Sequence, residues 1–293
     1  MPRHDPDHGA LRTVALSDAA SALAPRPGLA RAAATAVLLP FALRFRRELE
    51  EADARVGTDG LAAAADVLLP GYGGRPMFCG ADRVPADGPL LVVANHPGTV
   101  DTPLLWRLLA TRRDLLLIAL DRPLLRALPN LSARTLYVGD GVGARGGLVR
   151  AASAHLRAGG ALVTFPAGTI EPDPSLRPAD ALAALGEWSR SPELFARLAP
   201  GTVVLPVAIA GVLSERWLGH PLARRFADTD ARELAAAALQ LVRRDRSITP
   251  RVVVGEPLSG DPHGLTGRLE DAMRGLICAG DGRRPASTHR PDG

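Results

Sequence analysis

The sequence predicts one α/β domain with a central mixed β-sheet flanked by helices, preceded by N-terminal amphipathic helices. Three observations carry that expectation. Wholly apolar runs of strand length recur along the chain, among them Leu90–Ala94 and Val203–Ala210. Helix-length segments with an apolar period of three to four residues lie between them. Gly, Pro, Asn or Asp punctuates most of the junctions. Strands alternating with helices make an α/β domain, and 293 residues leave ample material for its core.

Taken in order, residues 1–28 are rich in Pro, His and Asp and read as a disordered tail. Residues 29–47 have an apolar centre interrupted by Pro40 and flanked by Arg31, Arg44, Arg46 and Arg47. That centre is too short to cross a bilayer. Two readings stand side by side: a helix lying in a membrane interface with its arginines at the headgroups, or a helix packed on the rest of the chain. Residues 49–69 read as a second amphipathic helix ended by Pro70-Gly71. The helical segment is therefore expected over 29–70 and the main domain over 71–279.

Met77-Phe78-Cys79 opens the sheet, and Ala86-Asp87-Gly88-Pro89 turns the chain into the strand Leu90–Ala94. A helix is expected over 102–110, a strand over 115–119, a short helix over 122–128 and a strand over Thr135–Val138. Residues 139–147 read as a glycine-rich loop and 148–158 as a helix. A buried strand over 161–165 leads to a proline-rich loop at 173–179. Helices are expected over 181–188 and 192–198, then the strand Val203–Ala210, an Ala-rich helix over 232–243, the strand Arg251–Val254 and a helix over 265–277. Residues 280–293 read as a second disordered tail. No internal repeat is visible.

The chemistry gathers at 90–105, LLVVANHPGTVDTPLL. The apolar strand gives way abruptly to Asn95, His96, Pro97 and Gly98. Pro97 and Gly98 turn the chain, and Thr99 or Asp101 is placed to cap a helix with Pro103 in its first turn. A strand end followed by a helix start is where α/β proteins carry their sites. The five-residue spacing of His96 and Asp101 suits no single helix face, but across a turn the two side chains fold back onto each other. A carboxylate beside an imidazole fixes its tautomer and raises its basicity. The bland alternative is a hydrogen-bonded loop without chemistry. His155 and His220 read as ordinary surface or core histidines.

The formal net charge is +4. Every fixed cation is Arg, and the absence of lysine excludes a Schiff-base or P-loop lysine. A basic balance suits nucleic acid or an anionic membrane surface. Aromatic residues, at 4%, are too scarce for base stacking, so no nucleic-acid partner is expected. Cys79 and Cys278 form neither a disulfide framework nor a zinc site, and a reduced intracellular setting with no bound metal or cofactor is expected. The N-terminus lacks a signal-peptide pattern, and no apolar run is long enough to span a bilayer.

Asn95-His96, four residues and Asp101 resemble the His-x4-Asp motif of the glycerolipid acyltransferases, the lysophosphatidic acid (1-acylglycerol-3-phosphate) acyltransferase family. Phe165-Pro166-Ala167-Gly168-Thr169 resembles that family's third block, usually Phe-Pro-Glu-Gly-Thr-Arg. Val204-Leu205-Pro206-Val207 resembles its fourth, an apolar strand broken by Pro. The blocks follow in the family's order over roughly 76–258. The resemblance implies an O-acyltransferase that moves an acyl group from acyl-CoA or acyl carrier protein, its donor substrate, to a hydroxyl of a lysophospholipid or related glycerolipid. His96 is then the general base and Asp101 its orienting partner, with Asn95, Arg145, Phe165, Pro166, Gly168 and Thr169 binding substrate.

The chain departs from the pattern in three places. Ala167 replaces the usual Glu and Ile170 the usual Arg. In the block over 134–140, Asp140 stands where an Arg is usual, and Arg145 in the loop beyond is the nearest replacement. These losses remove the bidentate clamp for a phosphate monoester and leave the acceptor's headgroup open. The implied partners are the lipid acceptor, the acyl donor, acyl carrier protein among the donors, and an anionic membrane surface. The implied place is the cytoplasmic side of the cell membrane, held peripherally. Two other readings stay open: a lipid-binding relative without catalysis, and a metal-dependent hydrolase with His96 and Asp101 as ligands. Against the second, no further His/Asp cluster has metal-ligand spacing.

Overall fold

The computed structural model describes residues 29–98, 100–139 and 141–280. The tails expected at 1–28 and beyond 280 lie outside the described residues, as do Thr99 and Asp140. In chain order the elements are α1 (Leu29–Asp59), α2 (Leu61–Tyr72), β1 (Met77–Cys79), β2 (Leu90–Ala94), α3 (Asp101–Leu108), β3 (Leu116–Leu120), α4 (Pro123–Arg126), α5 (Pro129–Ala133), β4 (Thr135–Val138), α6 (Val142–Arg157) and β5 (Ala161–Thr164). There follow α7 (Pro178–Ala184), α8 (Ser191–Leu198), β6 (Val203–Ala210), α9 (Glu215–Leu218), α10 (Thr229–Arg243), β7 (Arg251–Val254) and α11 (Leu265–Gly280).

The strands form one seven-stranded sheet in the order β1-β7-β6-β2-β5-β3-β4. Every neighbouring pair is parallel except β6 and β7. β2 is the middle strand, and all five of its side chains are fully buried. A strand covered on both faces has no polar side to show, so it reads as an unbroken apolar run. Leu90, Val92 and Ala94 face one layer, built with α1, α2 and α3 around Leu68, Leu104 and Leu105. Leu91 and Val93 face the other, built with α6, α8 and α11 around Leu156, Phe195 and Met273. Each buried Leu or Val contributes roughly 1.5–3 kcal/mol. A smaller apolar cluster around Trp217, Ala235 and Leu239 joins α9 to α10.

Pro206 sits inside β6, where a missing N–H costs a ladder bond. Its carbonyl accepts from the Gly255 amide, one residue past the end of β7. The proline therefore faces the place where the antiparallel ladder with β7 stops. β2 runs on through α3 to β3 on one side, while β5 leads to β6 on the other. The carboxyl ends of β6, β2 and β5 thus flank a reversal of strand order, the usual seat of a site in an open α/β sheet.

At the opposite edge of these strands Arg112 is buried and satisfied. It pairs with both carboxylate oxygens of Asp114 and donates to the carbonyls of Pro85, Gly88 and Gly159. Asp114 also accepts the Ala161 amide. This knot ties together the loops that lead into β2, β3 and β5.

Several elements differ from the sequence expectation. The break between the first two helices falls at Gly60, not near residue 48, and the second helix runs through Pro70-Gly71, its expected end, to Tyr72. Phe41, Ala42, Leu49 and Ala52 are buried, so from Phe41 onward α1 is packed on the domain. The glycine-rich stretch expected as a loop is the first half of α6, with Gly143, Gly146 and Gly147 inside it. Each such glycine costs about 1 kcal/mol of helix propensity, which the packing of Ala152 and Leu156 against the sheet offsets. α5 was not expected. It forms because Asp53 of α1, itself buried, accepts both the Leu131 amide and the Asn130 side chain.

Candidate active site

His96 lies two residues beyond β2, and Asp101 is the first residue of α3. The turn between them brings the imidazole Nδ1 to 2.7 Å from Asp101 Oδ2. The same carboxylate oxygen accepts the Gly98 amide at 2.8 Å. Gly98 takes a φ of 153°, which favours glycine, and a Cβ there would come to within 3.6 Å of Val212. α3 has no side-chain cap. Asp101 is wholly buried, whereas the His96 side chain is 29% exposed. Nε2 bonds to no described residue, so the far side of the ring is the face open to a substrate.

β5 delivers the second wall. Phe165 stacks on the His96 ring with centroids 4.5 Å apart and planes 24° from parallel. The Pro166 carbonyl accepts from Ser189. Gly168 closes a tight turn onto the Phe165 carbonyl with a left-handed φ of 67°. The Thr169 hydroxyl donates to the Ile170 carbonyl and is exposed, as is the Ile170 side chain. The amides of Ala167, Thr169 and Ile170 bond to no acceptor among the described residues. This turn, which follows the Phe165 ring stacked on His96, therefore offers donors that no described residue uses, and such donors suit an oxyanion or an anionic group.

The loop after β5 then crosses the end of β2. The Glu171 amide donates to the His96 carbonyl at 2.8 Å, and the His96 amide donates to Glu171 Oε2 at 2.7 Å. Trp188 Nε1 donates to Glu171 Oε1 at 2.7 Å. Two residues on, Asp173 accepts the successive amides of Gly211, Val212 and Leu213 at the end of β6. Two buried carboxylates thus tie three adjacent strand ends into one platform. The sequence alone gives neither a role. The only signal was two acids close together in a proline-rich loop directly after the third block.

The electrostatics follow from this burial. For His96, burial lowers the imidazole pKa, but the Asp101 hydrogen bond and the charges of Asp101 and Glu171 raise it more. The net direction is up from 6.5. Burial pushes the Asp101 carboxyl up, against the pull of His96 and the Gly98 amide. Burial also pushes Glu171 up, against the Trp188 and His96 contacts.

The remaining residues expected at the site fall in different places. Asn95 is buried, and its amide is fully used: Nδ2 donates to the Ile209 carbonyl and Oδ1 accepts the Ile209 amide. It extends the β2–β6 pairing by one side chain, with both polar atoms turned to the Ile209 backbone. Arg145 is exposed in the first turn of α6 and has no ion pair among the described residues. It follows β4, three strands from β2, or about 14 Å across the sheet. The structure brings Asp101, Phe165 and the 166–170 turn to His96 but does not join Arg145 to them. His155 bonds the Ala161 carbonyl, and His220 lies beside Trp217. Both cysteines are exposed and unpaired. Among the described residues no three His, Cys, Asp or Glu side chains gather as a metal site, and no helix is long and apolar enough to cross a membrane.

An open cavity of about 450 Å³ lies beyond β6, lined by Met77, Leu176, Leu213, Glu215 and Arg251 among others. His96 is not part of it. Val212 faces Gly98, while Gly211 and Leu213 line the cavity.

The family model described as Acyltransferase matches residues 75–210. The match begins just before β1 and ends with β6, so it contains His96, Asp101, Phe165, Glu171 and Asp173. α1, α2, α10, β7 and α11 lie outside the matched residues. Among solved structures, the chain is similar to the 1-acyl-sn-glycerophosphate (LPA) acyltransferase PlsC from Thermotoga maritima, at 19% identity, covering 83% of each chain with a TM-score of 0.42. No curated protein matches the chain.

Proposed function

We propose that the protein transfers a fatty acyl group from a thioester, acyl-CoA or acyl carrier protein, to the hydroxyl of a lysophospholipid or related glycerolipid. The observation that carries this is the His96–Asp101 pair, 2.7 Å apart, with Asp101 wholly buried and the imidazole partly open. Asp101 bonds Nδ1, so in the neutral ring the proton sits there and Nε2 is the basic atom. Nε2 takes the acceptor hydroxyl's proton as its oxygen attacks the thioester carbonyl. The tetrahedral intermediate collapses, the C–S bond breaks, and the departing thiolate takes that proton back from the imidazolium. The Ala167, Thr169 and Ile170 amides, in the turn that follows Phe165, are the donors this reading assigns to the intermediate's oxyanion.

Phe165, Pro166, Gly168 and Thr169 shape the acceptor side of the site in this reading. Membrane contact is part of the proposal, on the cytoplasmic side and held peripherally. Exposed Leu120 ends β3, and exposed Val142 and Ile170 follow β4 and β5, all at the edge that carries His96. Arg122 and Arg145 stand on the same edge, suited to anionic lipid headgroups. The test is thiol release from an acyl thioester with and without a panel of lysolipids in vesicles. Release that depends on the lysolipid and yields a product with one more acyl chain is expected. No release with any acceptor sinks the proposal.

A further inference from the structure

His96 is held in two ways. Asp101 holds the ring, and a residue of the loop after β5 holds the backbone. Glu171 grips His96 through both of its main-chain groups, with contacts of 2.8 and 2.7 Å. Its other carboxylate oxygen is fixed by the Trp188 indole at 2.7 Å. The carboxylate is buried, and its two oxygens each hold one donor. Both oxygens are thus engaged by the protein itself.

We infer that Glu171 is a positioning residue for the general base, clamping the His96 backbone so that the imidazole stays against Asp101 and Phe165. The inference rests on the proposed role of His96. Phe165 and Glu171 lie on one loop, so the group that stacks on the ring and the group that pins its backbone move together. The third block lacks its usual acid at Ala167, and a carboxylate appears four residues later. The charged groups facing His96 are Asp101, on its own turn, and Glu171, from the loop after β5; Asp173 of that loop faces Asp101. The clamp therefore adds a negative charge as well as a fixed geometry.

Geometry and charge are separable with two variants of the full chain. In Glu171→Gln one amide oxygen replaces two acceptors, and the NH₂ group opposes an N–H donor. In Glu171→Asp the charge stays but the reach is one methylene short. Both variants are expected to lose roughly 10²-fold in kcat, the scale of a reacting group misplaced by about 1 Å, with KM for the thioester changed only a few-fold. The His96 imidazole pKa, followed by NMR titration, is expected to fall in Glu171→Gln and to stay raised in Glu171→Asp. Wild-type kcat and an unmoved His96 titration in folded Glu171→Gln overturn the inference. So does an activity loss that matches only the lost folded fraction in both variants. If the wild-type protein turns over no thioester, the proposed function fails on its own, and the His96 titration alone decides the role of Glu171.

Discussion

The Phe165 ring lies flat against the His96 ring, 4.5 Å between centroids, and so couples the end of β5 to the end of β2. Asp101 fixes where Nδ1 points, and Phe165 limits how far the ring can tilt about that bond. Phe165→Ala is expected to lower kcat between about 10- and 10²-fold by loosening the base, while Phe165→Leu loses less. Steady-state kinetics at saturating thioester measure this. Unchanged kcat in Phe165→Ala removes the ring from the account.

The pH profile follows from the direction of the His96 shift. Its pKa is raised, so the imidazole keeps the proton that a base must lack to a higher pH than a free imidazole does. Activity is therefore expected to rise with pH through that raised value. Asp101→Asn removes both the hydrogen bond to a carboxylate and its charge, the two contributions that raise the pKa most. The limb is expected to move to lower pH, with a much lower plateau because the ring loses its orienting carboxylate. A limb that stays in place in Asp101→Asn assigns it to another group.

Arg112 is a control at the other edge of the sheet. Arg112→Met leaves three carbonyls and Asp114 without their donor and is expected to cost about 3 kcal/mol of stability. Turnover per folded molecule is expected to be unchanged. The Arg112 hydrogen bond holds the Asp114 carboxyl below its usual range. That contribution is present above the ordinary carboxylate value and is lost as pH falls through the lowered one. Acid unfolding monitored by circular dichroism should show the wild-type advantage shrinking at low pH. A Tm equal to wild type rejects the knot as a stabilising feature.

The exposed Ile170 offers no donor where an Arg is usual in the family, and Asp140 lies outside the described residues. Two charge-assisted hydrogen bonds at about 1.5–3 kcal/mol each correspond to roughly 10²–10⁴ in affinity. The acceptor is therefore expected to be a lysophospholipid with a larger headgroup or another lipid alcohol, not lysophosphatidic acid. Comparing kcat/KM across these acceptors with one donor tests it. A strong preference for lysophosphatidic acid that collapses in Arg145→Ala overturns it and makes Arg145 the replacement clamp.

What was legible in sequence was local. The apolar run of β2, the Pro97-Gly98 turn and the spacing of His96 to Asp101 lie within a dozen residues, and the structure joins them at 2.7 Å. The order of the three blocks locates the Phe165 wall, which follows β5, the strand paired with β2. Glu171 reaches His96 over 75 residues, and Asp173 reaches the Gly211–Leu213 amides over 38 to 40. Such contacts are created by strand order, which no local pattern encodes. Asn95 was placed at the substrate because it neighbours His96, but its side chain turns into the β6 backbone. The glycines of α6 and the prolines of α1 and α2 point against helix locally, and tertiary packing overrides them.

The general base is tested most directly by His96→Ala, assayed for thioester turnover against a lysolipid acceptor alongside a thermal melt. His96 packs against Phe165 but is not a buried apolar residue, so the variant is expected to melt close to wild type. Its acyl transfer is expected to fall by about 10²–10⁴-fold or more. A folded His96→Ala protein that turns over thioester at near the wild-type rate contradicts the account.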